Sequence, residues 1–468
     1  MKSRSTSTTS THKVRRDVAR GKRGKGWELQ AAGRRVRRAD PERIQAGPAD
    51  GSLTAVGGLV GFGQWLKSLG LDWELRQLFG DMKRGPAVVY PMPEQLRLLI
   101  DANTVGEQRV FGLEALAADP LFVHLAGGTV PSIDTVYRDL CRFGESSLEL
   151  LHGLMARHGH AAMSSLKSVH LDIDTTVEPL FGKQQGALPG PNPHYHGRPS
   201  YHPILAVVAE TGLCCGAKLR PGNHGLGNED AQAIGGYVRA AVSQLPSDAM
   251  LTVRMDAGAD CAEILREIDA AGAFFNVKLK LSADLAGAIA VANNWRTVEV
   301  DANGKPTRQV AELSFQRRGW VGARRPFRVI ATRYVDRDTG KQVQLWPELD
   351  YAVQAFVTNH PLLDTEDVVA DYDGRAEIEA LIAELKNGVG IGKVPSKNFN
   401  ANHAAFLIKL LAHNLLRRFV NQCVAKLKSW RLPWLWRFVL RVPGRLLRSG
   451  RRWSLRLPPG SPLQRLQL

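Results

Sequence analysis

Acidic residues follow two short apolar stretches whose alternation is typical of β-strands. In SVHLDIDTTV (168–177), a strand that buries its apolar positions leaves Asp172 and Asp174 together on the opposite face. Asp256 follows a second apolar stretch and begins an Asp-Ala-Gly turn. Carboxylates at the ends of strands in one sheet are well placed to converge on a hard cation, which prefers oxygen ligands. Each of them alone would more often be a turn cap, so a metal site needs further support.

A third carboxylate lies in YDGRAEIEALIAELKNG (372–388), where Tyr372, Arg375, Glu379 and Lys386 have the spacing Y-x2-R-x3-E-x6-K. On an α-helix Arg375 and Glu379 are one turn apart and Lys386 is two turns further on, so these three share a face. One carboxylate is thus flanked by cations. A solvated helix with internal salt bridges is the alternative, but such a helix needs neither the initial Tyr nor this spacing.

Asp174, Asp256 and Glu379 need a common scaffold if they are to hold metal ions together. From Ser168 the pattern predicts the order β-β-β-α-β-α-β, which is the succession of an RNase H-like mixed sheet with flanking helices. Strand-like segments with Asn-Gly and Thr-Gly turns then predict a β-rich insertion, after which the pattern returns to helix. The predicted fold class is α/β, with an RNase H-like mixed-sheet catalytic core, a β-rich insertion, a helical N-terminal domain and a basic helical C-terminal region.

Six segments make up the predicted domain organisation. They are a flexible basic arm (1–50), a helical N-terminal DNA-binding domain (51–165), the first part of the catalytic core (166–295), the β-rich insertion (296–365), the second part of the core with the Glu379 helix (366–425) and a basic C-terminal tail (426–468). In the helical domain, Ser132 is predicted to cap a helix that carries Arg138 and Arg142 on one face, as a DNA-recognition helix would. A helical hairpin that packs on the next domain fits this pattern equally well.

The composition favours a polyanionic partner. The chain has 62 Lys and Arg against 45 Asp and Glu, a net charge of +17. No Asp or Glu follows Glu384, and tryptophans are interleaved with arginines in that final stretch. Phosphate contact by this stretch is therefore expected, and nucleic acid is the leading partner. The 5 cysteines include no CxxC pair, and neither a secretory signal nor a long apolar window is present, so a cytoplasmic protein without a membrane partner is expected.

Several motifs make the chain resemble a known family. They are LDIDTTVEPLFGKQQGA, GRPSYHPILAVVAETG, RMDAGAD, ELKNGVGIGKVPSKNF and NHAAFLIKLLAHNLLRRF, together with the Tyr-Arg-Glu-Lys spacing. The chain resembles the bacterial insertion-sequence DDE transposases of the YREK group, and among them the family numbered thirteen-eighty. The resemblance covers most of the chain. It departs from the family at Ala376, where relatives often have Gly, and Ala is the better helix former.

The resemblance implies a function and a role for each motif residue. The metal-binding catalytic residues would be Asp174, with Asp172 as the alternative, and Asp256 and Glu379, holding two Mg²⁺ ions for which Mn²⁺ can substitute. Arg375 and Lys386 would contact phosphate, with Tyr372 beside them, while Trp320 or Trp346 would stack on a flipped base if it is not part of the core.

The implied reaction is cut-and-paste transposition. The partners would be double-stranded DNA with the terminal inverted repeats, the target DNA and a second copy of the chain. Two alternatives stay open: a structure-selective nuclease without strand transfer, and a domesticated DNA-binding relic without activity.

Overall fold

The computed structural model describes residues 41–43, 47, 51–192, 195–335 and 351–459. The chain divides into two compact units, one formed by the described residues up to Leu151 together with those from Glu384 onwards, and the other by His152–Ala383. The predicted basic arm (1–50) lies almost wholly outside the described residues. The other predicted segment boundaries stay predictions.

The described strands and helices are as follows. The strands are β1 (Leu53–Thr54), β2 (Ser168–Thr175), β3 (Glu178–Pro179), β4 (Ser200–Tyr201), β5 (Ile204–Val208), β6 (Leu213–Lys218), β7 (Met250–Met255), β8 (Phe274–Lys278), β9 (Arg296–Val300), β10 (Pro306–Leu313), β11 (Arg328–Val335), β12 (Tyr351–Thr358), β13 (Gly444–Ser449) and β14 (Arg452–Arg456). The α-helices are α1 (Leu59–Ser68), α2 (Leu71–Phe79), α3 (Met92–Thr104), α4 (Leu113–Leu116), α5 (Pro120–Leu125), α6 (Ile133–Leu140), α7 (Glu145–Gly159), α8 (Ala231–Val242), α9 (Ala262–Ala270), α10 (Ala283–Ala290), α11 (Thr365–Asp373), α12 (Ala376–Asn387), α13 (Phe399–Cys423) and α14 (Leu432–Leu435).

A large mixed sheet forms the centre of the second unit, with its described strands in the order β6-β5-β2-β7-β8-β12-β11-β10-β9. Strand β2 pairs in parallel with β7 and antiparallel with β5, and β7 pairs in parallel with β8. Helices α8 and α9 connect the parallel strands, as parallel pairing requires. The predicted mixed α/β sheet and its order β-β-β-α-β-α-β are confirmed, with the two-residue strands β3 and β4 in addition.

The segment predicted as a β-rich insertion continues this sheet. Strands β9 to β12 are antiparallel, and β12 pairs with β8 through Phe356 opposite Lys278. These strands extend the central sheet because β12 is an apolar strand buried on both faces. Its residues Ala355, Phe356 and Val357 are at most 1% exposed. Periodicity alone identifies strands but does not say which sheet they join.

The first unit is mainly helical. Helix α13 is its longest described helix, and it packs against α1, where the rings of Phe62 and Phe419 meet edge to face at 5.4 Å. The described part of the predicted basic tail is folded, since it contains α14, a π-helical turn (Trp436–Leu440) and the hairpin β13–β14, which pairs with β1. Among the described residues, every helix is too short or too polar to cross a lipid bilayer.

Candidate active site

Asp174 and Asp256 lie at the carboxyl-terminal edge of two neighbouring parallel strands. Ile173 of β2 is paired with Met255 of β7, and each acidic residue is the next one along its own chain segment. Asp256 accepts a 2.9 Å hydrogen bond from the backbone N–H of Gly258. A Cβ atom at position 258 would approach Asp256 Oδ1 to 2.9 Å, so the Asp-Ala-Gly turn needs its glycine to fold this closely around the carboxylate.

Asp172 occupies a different environment from Asp174. It is 1% exposed and accepts two hydrogen bonds from Arg254, at 2.6 Å from Nε and 2.9 Å from Nη2. Asp172 and Arg254 are register partners in the parallel pair of β2 and β7, so the backbone itself places them opposite each other. A buried carboxylate in a bidentate ion pair has its oxygens occupied, whereas Asp174 is partly accessible at the strand end.

The Arg254 side chain also shapes the helical segment that carries the Tyr-Arg-Glu-Lys motif. Arg254 Nη1 donates a 2.8 Å hydrogen bond to the backbone carbonyl of Asp371. The amide of Arg375 consequently bonds to the carbonyl of Tyr372 at 2.9 Å rather than to Asp371 one full turn back. A Cβ at Gly374 would lie 2.7 Å from Arg254 Nη1, so this position favours glycine. The segment predicted as one helix is therefore two, α11 and α12, and Arg375 lies in the junction.

This junction brings Arg375 and Glu379 to Asp174. Arg375 is 7% exposed, and its Nη2 lies 2.9 Å from Asp174 Oδ2. Burial raises the pKa of Asp174 to about 6; Arg375 opposes that rise, and the charges of Asp256 and Glu379 add to it. Asp174 is therefore coupled electrostatically to both other carboxylates and is paired with the guanidinium of Arg375.

Tyr372 lies beside this cluster at the end of α11. Its ring packs against Phe356 with centroids 4.6 Å apart, and burial raises the pKa of its hydroxyl to about 12. Arg375, Asp256 and Asp174 all influence that hydroxyl electrostatically. Tyr372 is thus a neutral hydrogen-bonding group at the site.

A set of polar side chains fastens α11 to the sheet behind the carboxylates. Asp371 contacts His170 Nε2 at 2.9 Å, and Asn276 donates a 3.0 Å hydrogen bond to the other Asp371 oxygen. His170 Nδ1 lies 2.7 Å from Glu210, in the turn after β5. Hydrogen bonds to Asp371 and then to Glu210 raise the pKa of His170 to about 9. His170 is therefore protonated at neutral pH and holds two carboxylates in place.

The oxygen donors of Asp174, Asp256 and Glu379 suit a hard divalent cation, and their mutual repulsion would be relieved by one. As they stand, no three His, Cys, Asp or Glu side chains in the described part of the chain are close enough to hold a metal ion. The Arg375 guanidinium contacts one oxygen of Asp174. The chemistry of the donor set therefore fits Mg²⁺, and the side chains would have to adjust to bind it.

Other predicted site residues are located elsewhere. Lys386 lies in the last turn of α12, two turns beyond Glu379 as predicted. Trp320 is 4% exposed and its ring packs against Phe315 and Phe327, so the core role considered for it fits the structure, and its ring faces are not open to a base. Trp346 lies outside the described residues.

Arg138 and Arg142 lie at the end of α6, which Ser132 caps as predicted. Arg138 is in the helix, is exposed and donates to Thr135 Oγ1 at 3.3 Å. Arg142 follows the end of the helix, and its Nε lies 2.8 Å from Asp139. Arg142 therefore lies just beyond the helix that carries Arg138, and a DNA contact for either of them stays a prediction.

Arg254 and Asp371 are the important residues that the sequence interpretation missed. The signal for Arg254 is a cation inside the apolar strand LTVRM, because a charged residue in a buried strand needs a partner. The signal for Asp371 is weaker. This residue is one of several acidic residues in its helix, and nothing in the sequence distinguishes it from the others.

Comparison with known proteins identifies a family and shows a distant structural likeness. A family model described as transposase DDE domain group 1 matches residues 37–467. Among solved structures, a piggyBac transposase synaptic complex with hairpin DNA, studied by cryo-EM, is similar over 76% of this chain and 75% of that one, with a TM-score of 0.37 and 9% identity. A likeness this distant supports no inference about this chain. No curated protein matches it.

The different environments of the two aspartates of β2 predict different effects on stability. Replacing Asp172 by Asn breaks the buried pair with Arg254 and should lower the free energy of unfolding by about 3–5 kcal/mol. In Asp174 the pKa is raised above its ordinary value of 3.8 to about 6, so its ionised form weakens folding above that pH. Asp174→Asn removes that charge and should therefore raise the free energy of unfolding near pH 8, by up to about 3 kcal/mol. Urea unfolding of both variants measures this, and equal losses would contradict it.

The charge on His170 predicts a pH-dependent contribution to stability. Its pKa is about 9 in the folded protein against 6.5 ordinarily, so its contribution is complete below about pH 6.5 and is lost as the pH rises through 9. After allowance for solvent screening, this loss should be about 1–2 kcal/mol. Urea unfolding of the wild type and of His170→Gln isolates it, because other alkaline titrations affect both proteins. Parallel pH profiles for the two would refute the assignment.

Proposed function

The chain belongs to the family of transposases with a DDE domain of group 1, and we propose that it cuts DNA at the ends of a transposable element and joins those ends to target DNA. The observation that supports this proposal most strongly is the electrostatic coupling of Asp174 to Asp256 and Glu379, together with the ion pair between Asp174 and Arg375. Two aspartates at the carboxyl edge of parallel strands, with a glutamate and a buried arginine from the helical segment beside them, form a site suited to phosphoryl transfer.

Mg²⁺, or Mn²⁺ in its place, is the proposed cofactor, with Asp174, Asp256 and Glu379 as its ligands. Two such ions, when bound, activate a water molecule or a DNA 3′-hydroxyl and stabilise the leaving oxygen of an in-line displacement. The protein holds the ligand oxygens in place: Asp174 at the end of β2 and Asp256 in the turn closed by Gly258. Glu379 comes from the first turn of α12.

Arg375 is proposed to contact the phosphate at the reacting bond. Its Nε and Nη2 atoms are buried, and within the described residues neither makes a hydrogen bond, although Nη2 lies 2.9 Å from Asp174 Oδ2 in the ion pair. A guanidinium with two such donors matches the oxygens of a phosphate. Tyr372 would donate a hydrogen bond from its hydroxyl group to the same DNA backbone. Lys386 would contact a phosphate further along the DNA.

The finer identity of the element is also proposed from the sequence motifs. The Tyr-Arg-Glu-Lys spacing supports an insertion sequence of the YREK group, in the family numbered thirteen-eighty, that moves by cutting and pasting. Its DNA partners would be the terminal inverted repeats and the target. Because two ends must react together, the DNA-bound form is proposed to be a dimer.

Conservative replacement of the acidic trio tests the proposed function. In Asp174→Asn, Asp256→Asn and Glu379→Gln, metal-dependent cleavage and joining of the element's own end should fall at least about 10²–10³-fold, since each change removes charge that the transition state needs. Glu377→Gln is the matched control, because Glu377 is exposed in the same first helical turn as Glu379. The measurement is the yield of cleaved and joined DNA with Mg²⁺.

The products separate the competing functions. Full activity in any of the three variants would remove that residue from the proposed site. Cleavage without joining would identify a nuclease, and DNA binding without cleavage by the wild type would identify a binding protein that has lost activity.

A further inference from the structure

A β-hairpin near the C-terminus has two dissimilar faces. Strands β13 and β14 are joined by Gly450 and Arg451, and Gly450 has a φ of +60°, as the first position of a type II′ turn requires. Leu446 and Leu455 are directly opposite each other, with Leu446 7% exposed. Nearer the turn, the guanidinium of Arg448 lies 5.6 Å from the ring centre of its cross-strand partner Trp453. These contacts give the hairpin a fixed conformation.

The other face carries cations. Directly paired residues share a face, so Arg445 and Arg456 lie opposite each other there, and Arg452 is on the same side nearer the turn. All three are exposed, as is Arg451 in the turn. Like charges placed directly opposite destabilise a hairpin, so folding alone does not account for this arrangement.

The surrounding sequence offers these cations no acidic residues. From Leu385 to the C-terminus the chain contains 17 Lys and Arg and neither Asp nor Glu. Within the part of the chain that the structure describes, Arg451, Arg452 and Arg456 have no ion-pair partner. Along β14, the rise of about 3.4 Å per residue separates Arg452 from Arg456 by roughly 14 Å, a length that spans several phosphates of a DNA strand.

We propose that this arginine face, formed by Arg445, Arg451, Arg452 and Arg456, binds the phosphate backbone of double-stranded DNA without reading its sequence. The proposal rests on the proposed function, because it assigns a DNA contact to an enzyme that acts on DNA. The competing explanation is that the arginines protect β14, an edge strand, from pairing with another molecule. The two explanations differ in whether charge on this face affects DNA affinity.

The salt dependence of DNA binding tests the proposal. In Arg452→Gln/Arg456→Gln, the slope of log affinity against log salt for a labelled duplex of arbitrary sequence should fall by about 1.8, since each lost phosphate contact removes about 0.9. Arg452→Lys/Arg456→Lys should keep the wild-type slope because it keeps the charge. The ratio of affinities for the element's end and for arbitrary DNA should not change.

A matched control has the same loss of charge in the same unit. Arg76→Gln/Arg84→Gln removes two exposed arginines that pair with Glu94 and Asp81, and it should leave the slope unchanged. An unchanged slope in the hairpin variant together with aggregation would establish edge protection and overturn the proposal. Loss of binding to phosphatidylserine vesicles with an unchanged DNA slope would assign the face to a membrane. A wild type that binds no DNA would refute the proposed function itself.

Discussion

The buried ion pair between Arg254 and Asp172 is the constraint on which the candidate site depends. A guanidinium that is 5% exposed must have its charge and its donors satisfied within the protein. Arg254 meets this need with both oxygens of Asp172 and with the Asp371 carbonyl. The pair with Asp172 links β7 to β2. The hydrogen bond to the Asp371 carbonyl ends a helical turn and places Arg375 beside Asp174.

Two aspartates in the same strand thus lie in different environments because of what faces them. Asp172 is opposite an arginine inside the sheet, where its charge is needed to balance that of Arg254. Asp174 is one step beyond the last register pair of β2 and β7, where the charges of Asp256 and Glu379 act on it. The sequence places both on one face and cannot separate them, since alternation gives orientation but not the identity of the neighbour across the sheet. Asp174 therefore stays the proposed metal ligand of the pair, because Arg254 does not occupy its oxygens.

The order of strands and helices from Ser168 to Lys278 could be predicted because periodicity and turn residues are local properties. The helix of Glu379 was predictable for the same reason. The break at Gly374 was not, because it results from Arg254, more than a hundred positions earlier in the chain. The union of β12 with β8 was also inaccessible, since strand pairing is decided by distant segments. The hairpin near the C-terminus was hidden by its charge, which favours a tail when read without the pairing of Leu446 and Leu455.

That hairpin shows how a fold can maintain a charged surface that is unfavourable in isolation. An opposed pair such as Arg445 and Arg456 costs a hairpin about 0.2–1 kcal/mol. Burial of a leucine side chain contributes about 1.5–3 kcal/mol to stability. Burial of Leu446 on the opposite face of the same two strands therefore outweighs that cost. Gly444 permits this packing, since a Cβ there would lie 2.8 Å from a methyl group of Leu455. The apolar face therefore stabilises the hairpin in spite of the opposed arginines, so the arginine face can carry the proposed DNA contact without contributing to folding.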